Sequence, residues 1–124
     1  MITGAEQLEF IESPGGNSSA ALATPSRGSH QVSVIRQRQI PGGLNPDHIH
    51  DRDEFIFLLN GSVHVTVNDE SLLLNTGDSV RIPPRALHRI ENAGDSVAEW
   101  LLIATAGIRF FHAGGDEASP PWSK

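Results

Sequence analysis

Gly42-Gly43-Leu44-Asn45-Pro46-Asp47-His48-Ile49-His50-Asp51-Arg52-Asp53-Glu54, running on into Phe55-Ile56-Phe57-Leu58-Leu59-Asn60-Gly61, is the stretch on which the fold turns. His48 and His50 are two positions apart, so an extended backbone carries both imidazoles on one face. Asp51-Arg52-Asp53 offers a turn, and Glu54 opens an apolar strand. A tight antiparallel connection there sets Glu54 beside the two histidines. Further on, Pro83-Pro84 marks a corner, and His88 opens another strand just after it.

Outward from this stretch, the chain reads as short strands punctuated by Gly, Pro, Asn and Asp. Val32 to Ile40 alternates and stops at Pro41-Gly42-Gly43. Phe55 to Leu59 ends at the hairpin signal Asn60-Gly61. Val63 to Val67 ends at Asn68-Asp69, and Ser71 to Leu74 leads into Asn75-Thr76-Gly77-Asp78. Val80 to Ile82, Leu87 to Glu91 and Ala98 to Ala104 complete the set. This texture predicts an all-β sandwich or barrel, with no amphipathic helix of ordinary length. Residues 1–30 read as an N-terminal arm, residues 31–112 as the barrel and residues 113–124 as an irregular tail. Within the arm, Ile2 to Ile11 suits a short strand or irregular segment. Ser13 to Ser29, rich in Ser, Gly, Ala and Pro, suits a loop draped over the barrel.

Composition narrows the chemistry. With 124 residues the chain holds one domain. Nine basic against fifteen acidic side chains give a net charge of −6, which disfavours nucleic acid or anionic membrane as a partner. No cysteine is present, so a metal must be held by imidazole and carboxylate. No signal peptide or apolar span is evident, and the cytoplasm is the expected compartment.

Taken singly, a His-x-His pair, a turn carboxylate and a strand histidine carry little meaning. Their joint spacing carries more. Gly42, five residues, His48-x-His50, three residues, Glu54, six residues and Gly61 resemble the first motif of the cupin superfamily without a gap. Gly77, five residues, Pro83, then His88 and Asn92 resemble the second, and the fifteen residues between the motifs match the short spacing of small microbial cupins. The second motif departs at Arg85, where the family usually has glycine. Arginine there must either take a positive φ or use another turn.

The resemblance implies a single-domain cupin jelly roll, similar to the quercetin-dioxygenase-like monocupins. It implies one divalent metal (Fe, Mn, Ni, Cu or Zn) held by His48, His50, Glu54 and His88, with Glu54 also the catalytic candidate. Such a donor set suits transition metals better than Ca or Mg and leaves coordination positions open for chemistry. His30, His64 and His112 are not expected to be ligands, although His112 can lie over a pocket.

Strand alternation sends Ile56 and Leu58 inward with Glu54, and Ile82, Ile90, Arg36 and Arg38 are further candidates for the pocket lining. The opposite parity leaves Phe55, Phe57 and Leu59 outside, a stripe that predicts a homodimer. Three functions fit these residues: a non-haem metal dioxygenase acting on an enolisable or phenolic small molecule, a polyketide cyclase using the metal as Lewis acid, and a non-catalytic ligand-binding module. The segments Gly107 to Phe111 and Ala118 to Trp122 resemble the C-terminal regions of the small cyclases.

Overall fold

The computed structural model describes residues 2–124. Its strands are β1 (Ile11–Ser13), β2 (Asn17–Ala23), β3 (Val32–Gln39), β4 (Leu44–His50), β5 (Glu54–Asn60) and β6 (Ser62–Val67). They continue as β7 (Glu70–Asn75), β8 (Ser79–Ile82), β9 (His88–Glu91), β10 (Ala98–Thr105), β11 (Phe110–His112) and β12 (Glu117–Ala118). Three single-turn 3₁₀ helices, at Ala5–Gln7, Pro25–Arg27 and Pro121–Ser123, are the only helical elements among the described residues. No helix among the described residues is long and apolar enough to cross a membrane.

The strands form two six-stranded antiparallel sheets, ordered β1-β2-β3-β10-β5-β8 and β12-β11-β4-β9-β6-β7. Packed face to face, they make the jelly-roll sandwich that the sequence predicts. Alternation is sharpest in β5, where Glu54, Ile56 and Leu58 are buried while Phe55 and Phe57 remain 44% and 38% exposed. Ile56, Leu58, Ile82 and Ile90 join Val63, Val65, Leu74 and Trp100 in one apolar cluster between the sheets. Ile35, Leu102, Ile108 and Phe110 form a second cluster, against which Trp122 packs.

Two connections differ from the sequence reading. Neither β4 and β5 nor β5 and β6 pair with each other, because each pair is split between the two sheets. Asp51–Asp53 is therefore a corner between sheets, anchored by the Arg109 amide donating to Asp51 Oδ1 at 2.7 Å. Asn60-Gly61 is likewise a corner and not a hairpin. Asn60 Nδ2 donates to the Val97 carbonyl at 3.1 Å. Gly61 has φ +83°, and a Cβ there would stand 3.1 Å from the Ala98 Cα. The true two-residue hairpin is Asn68-Asp69, both at positive φ, joining β6 to β7.

The stretch read as a draped loop also contains more order than its composition suggested. Asn17–Ala23 pairs with β3 from Asn17↔Gln39 onward, which extends the first sheet. Its small Ser and Ala side chains carry little hydrophobic signal of their own; tertiary pairing overrides weak local propensity. The tail holds the short strand β12, paired with β11. The Ser26 amide donates to the Lys124 carbonyl at 2.7 Å, fixing the end of the chain.

A candidate metal centre at the floor of a cavity

β4 carries two of the four clustered side chains, and its proline shapes it. Pairing of β4 with β9 slips between Asn45 and His48, around Pro46. Proline has no amide to donate, so a strand tolerates it at such a bulge, and bulges re-aim the side chains beside them. Past the bulge, His48 pairs with His88 of β9, and His50 pairs with Phe110 of β11. Glu54 enters from the other sheet, opposite Ile82 on β8 and Ala104 on β10.

One ligand atom from each of His48, His50, Glu54 and His88 lies within 4.8 Å of all the others. His50, Glu54 and His88 are each 1% exposed. Glu54 Oε2 faces His50 Nδ1 and stands 3.9 Å from His88 Nε2. These buried atoms have no hydrogen-bond partner among the described residues, and neither does His50 Nε2. Buried polar atoms are rarely orphaned, so convergent orphans of this kind mark a place for a bound group. The donor chemistry agrees. His48 Nδ1 sits 2.8 Å from the Pro46 carbonyl and His88 Nδ1 2.9 Å from the Ala86 carbonyl. Each ring therefore keeps its proton on Nδ1 and presents a bare Nε2 to the cluster. The four residues fit a metal site.

Charge is tuned to the same end. Burial, then repulsion from His48 and His88, pushes His50 down to about 2. Burial, then His48, pushes His88 down to about 4 against the opposing effects of the Ala86 carbonyl and Asp47. His48 is lowered too, chiefly by burial. Burial pushes the Glu54 carboxyl up to about 8. Three neutral imidazoles are ready ligands, and Glu54 must give up a proton when a cation arrives.

A cavity of about 480 Å³ opens at His48. Gln37, Leu102 and Phe110 wall it on the sandwich side, while Ala118 to Trp122 close the other. An aromatic ladder links that tail to the cluster, with Trp122 on Phe110 at 5.6 Å and Phe110 on His50 at 4.6 Å between ring centroids. His112 also borders the cavity, whereas His30 and His64 are exposed and apart from it.

The expected lining needs correction. Ile56, Leu58, Ile82 and Ile90 do point inward, but they belong to the packed apolar cluster and not to the cavity wall. Arg36 and Arg38 lie on the outer face of β3, where both pair with Glu99 of β10, Arg38 Nε at 2.8 Å. Gln37, on the opposite parity, is the β3 residue in the wall. Apolar side chains at Val32, Val34 and Ile35 blur which face of β3 is inner. Glu99, two residues before Leu101 on the facing strand, was the available signal for where the arginines go. The tail wall and Phe110 had no signal beyond their likeness to cyclase C-termini.

The remaining motif residues are structural. Asn92 Nδ2 donates to the Gln39 and Ser96 carbonyls at 3.1 and 2.9 Å, tying the β3–β4 turn to the loop before β10. Arg85 keeps the turn that glycine usually makes by adopting φ +66°. Its amide donates to the His50 carbonyl at 2.8 Å, which links the corner before His88 to the strand carrying His50.

Residues 35–104 match the model of the Cupin_2 cupin domain, more than half of the chain. The chain belongs to the cupin family. Among curated relatives, this cupin is 32% identical over 82 residues to the tetracenomycin polyketide synthase protein TcmJ of Streptomyces glaucescens, covering 64% of the chain and 55% of that protein. It is 33% identical over 93 residues to protein SchB of Streptomyces halstedii, covering 70% and 64%. The chain thus spans less than two thirds of the length of either relative. Among solved structures, the polyketide cyclase RemF from Streptomyces resistomycificus superposes with a TM-score of 0.78 at 18% identity, covering 87% of this chain and 80% of that one.

Proposed function

We propose that this cupin is a metal-dependent enzyme acting on an enolisable, phenolic small molecule of the polyketide kind, and that the reaction is an intramolecular cyclisation. The observation that carries this reading is the way the His/Glu cluster opens, through His48 alone, onto a mostly apolar cavity walled by Phe110, Trp122 and Leu102, with Glu12, Asp47 and Glu117 also in its lining. A space of about 480 Å³ suits a fused-ring or folded-chain substrate. The likenesses to TcmJ and RemF support the same substrate class.

A divalent metal bound by His48, His50, Glu54 and His88 supplies Lewis acidity toward a substrate carbonyl or enolate oxygen. The protein does the rest. Phe110, Leu102 and Trp122 hold the apolar body of the substrate and exclude water, so a flexible chain is kept folded for bond formation. Neutral imidazoles and a single ionised carboxylate leave a divalent site at net +1, matched to an anionic oxygen. Oxygen chemistry at the same metal is the second reading, and the three-imidazole, one-carboxylate donor set is the observation that favours it.

The experiment loads the protein with Zn or with Fe and supplies a poly-β-ketone released by a minimal polyketide synthase, following product mass and oxygen uptake. A cyclised product of unchanged or dehydrated mass, without oxygen uptake, supports the cyclase. Oxygen uptake with a product heavier by two oxygen atoms supports the dioxygenase. Binding without turnover in either form leaves a ligand-binding cupin. His50→Ala abolishes turnover on either enzyme reading.

We further propose a homodimer through the outer face of the first sheet, where Phe55 and Phe57 lie beside Leu101 and Ile103 of β10. Large apolar side chains grouped on one outer sheet face are a common mark of association.

A further inference from the structure

Gln37 is a buried amide whose orientation is fixed from both sides. It sits in the middle of a row of inward side chains, with Ser19 of β2 and Trp100 of β10 as its direct cross-strand neighbours. Trp100 is 1% exposed, and its indole N–H needs an acceptor; it donates to Gln37 Oε1 at 2.7 Å. The carbonyl end of the amide is thereby committed. Gln37 Nε2 donates one hydrogen to Ser19 Oγ at 3.1 Å. Its second hydrogen has no acceptor among the described residues, although Gln37 is only 5% exposed and forms part of the cavity wall. An indole that takes the oxygen leaves the wall with an N–H donor and not a carbonyl.

The register also sets its distance from the cluster. Glu54 lies in the row of Ala104 and Ser33, the next inward row holds Ile56, Leu102 and Ile35, and the next holds Leu58, Trp100 and Gln37. Two rows correspond to about 13 Å of backbone along the strands. The donor therefore addresses a part of the ligand remote from Glu54, beside the apolar Leu102 and Phe110, while the other polar groups of the lining, among them Asn45, Asp47 and His112, lie on other elements.

We infer that Gln37 is a second recognition point, donating its free N–H to a carbonyl or phenolic oxygen of the substrate distant from the metal-binding oxygens. This inference rests on the substrate class proposed above. It makes the site prefer flat or folded polyoxygenated molecules with oxygens at both ends over those with a chelating end alone. An unsatisfied buried donor discriminates more sharply than an apolar wall does.

The test uses the Zn-loaded full chain and two probes with the same chelating face, 1,8-dihydroxyanthraquinone and 1,8-dihydroxyanthrone, which lacks the far carbonyl. Binding is read under anaerobic conditions from the shift of their absorption bands. Gln37→Glu keeps an acceptor for Trp100 while replacing the donor by a carboxylate, and is assayed at pH 9, above the value of about 8 to which burial raises the Glu54 carboxyl. The expected result is a loss of about tenfold or more in affinity for the quinone, an unchanged affinity for the anthrone and an unchanged Zn content. Equal affinity for the quinone, or equal losses on both probes, overturns the inference and leaves the proposed function standing. Failure of the wild-type protein to bind either probe overturns the substrate class and the inference with it. If Gln37→Glu does not fold, Gln37→Met combined with Trp100→Phe, which leaves no indole N–H to satisfy, is expected to show the same probe-selective loss, and its absence overturns the inference.

Discussion

Glu54 Oε2 stands 3.9 Å from His88 Nε2, though the two residues come from different sheets and make no hydrogen bond to one another. The contact spans the sandwich, so the cluster is assembled only when both sheets are packed. Replacing Glu54 by Gln removes the single anionic donor while keeping its shape. Zn affinity is expected to fall by at least about a hundredfold, beyond the 10–100-fold typical of outer-shell changes. The metal-free variant is expected to melt no lower than the wild type, because a neutral amide replaces a carboxyl that burial disfavours in its charged form. Isothermal titration and thermal melts measure the two effects separately; a metal affinity unchanged by this substitution would remove Glu54 from the ligand set.

The same group sets the pH dependence of the metal-free protein. Glu54 is raised from 4.5 to about 8, so the folded state holds a proton that the unfolded chain releases, and stability falls as pH rises through that window. The histidines act in the opposite sense. His50 and His88 are lowered from 6.5 to about 2 and about 4, so the unfolded chain takes up protons that the folded state refuses, and stability falls as pH drops below 6.5. The two limbs meet at a maximum Tm at about pH 6.5. Metal binding ionises Glu54 in the folded state and abolishes the alkaline limb. Melts from pH 4 to 9, with Zn and with a chelator, test this; parallel curves in the two conditions would contradict it.

Arg85 pays a conformational penalty at φ +66° that glycine avoids. Arg85→Gly is expected to stabilise the protein by about 0.5–1 kcal/mol, after allowing for the greater entropy of an unfolded glycine. Arg85→Val is expected to destabilise it, since a β-branched side chain fits that region worst. Denaturant midpoints for the two variants should move in opposite directions. Metal affinity should change little with glycine, because the amide bond to the His50 carbonyl needs no side chain.

The four clustered residues and the all-β architecture were legible in the sequence because spacing on a strand is rigid: His48 and His50 share a face whatever the surroundings. The pairing of strands was less legible. Asn60-Gly61 has hairpin chemistry, yet the chain uses it to change sheets, since Phe55, Phe57 and Ile56 match a place between β10 and β8. Strand β2, made of small residues, gains its order from β3 and shows no pattern alone. The cavity was hardest to read. Its walls join Gln37, Leu102 and Phe110 to a tail at the far end of the chain, and that juxtaposition depends on long-range packing without a local signature.

The outer stripe offers a test of assembly. Phe55 and Phe57 are partly exposed beside half-buried Leu101 and Ile103. A charge placed in this patch must be desolvated for two copies to meet, a cost of several kcal/mol. Light scattering is expected to give twice the chain mass for the wild type and the single chain mass for Phe57→Asp. Metal content should be retained, because Phe57 faces away from Glu54. A monomeric wild type would dismiss the interface.

Trp122 is the residue through which the tail reaches the cluster. Its ring packs on Phe110, whose ring in turn packs on His50. Trp122→Ala removes a large aromatic wall from the cavity without touching any of the four clustered side chains. Half-burial limits the structural cost to about 1–2 kcal/mol, below the 3–5 kcal/mol of a core Trp→Ala change. Zn affinity is expected to stay within about threefold of the wild type, and binding of 1,8-dihydroxyanthraquinone to weaken by about tenfold, the loss of one aromatic contact and its burial. The pattern separates a wall of the substrate site from a mere strap on the barrel. A strap would lower Tm with no change in probe affinity, whereas Trp122→Phe is expected to restore most of the binding because it restores the edge-to-face contact with Phe110.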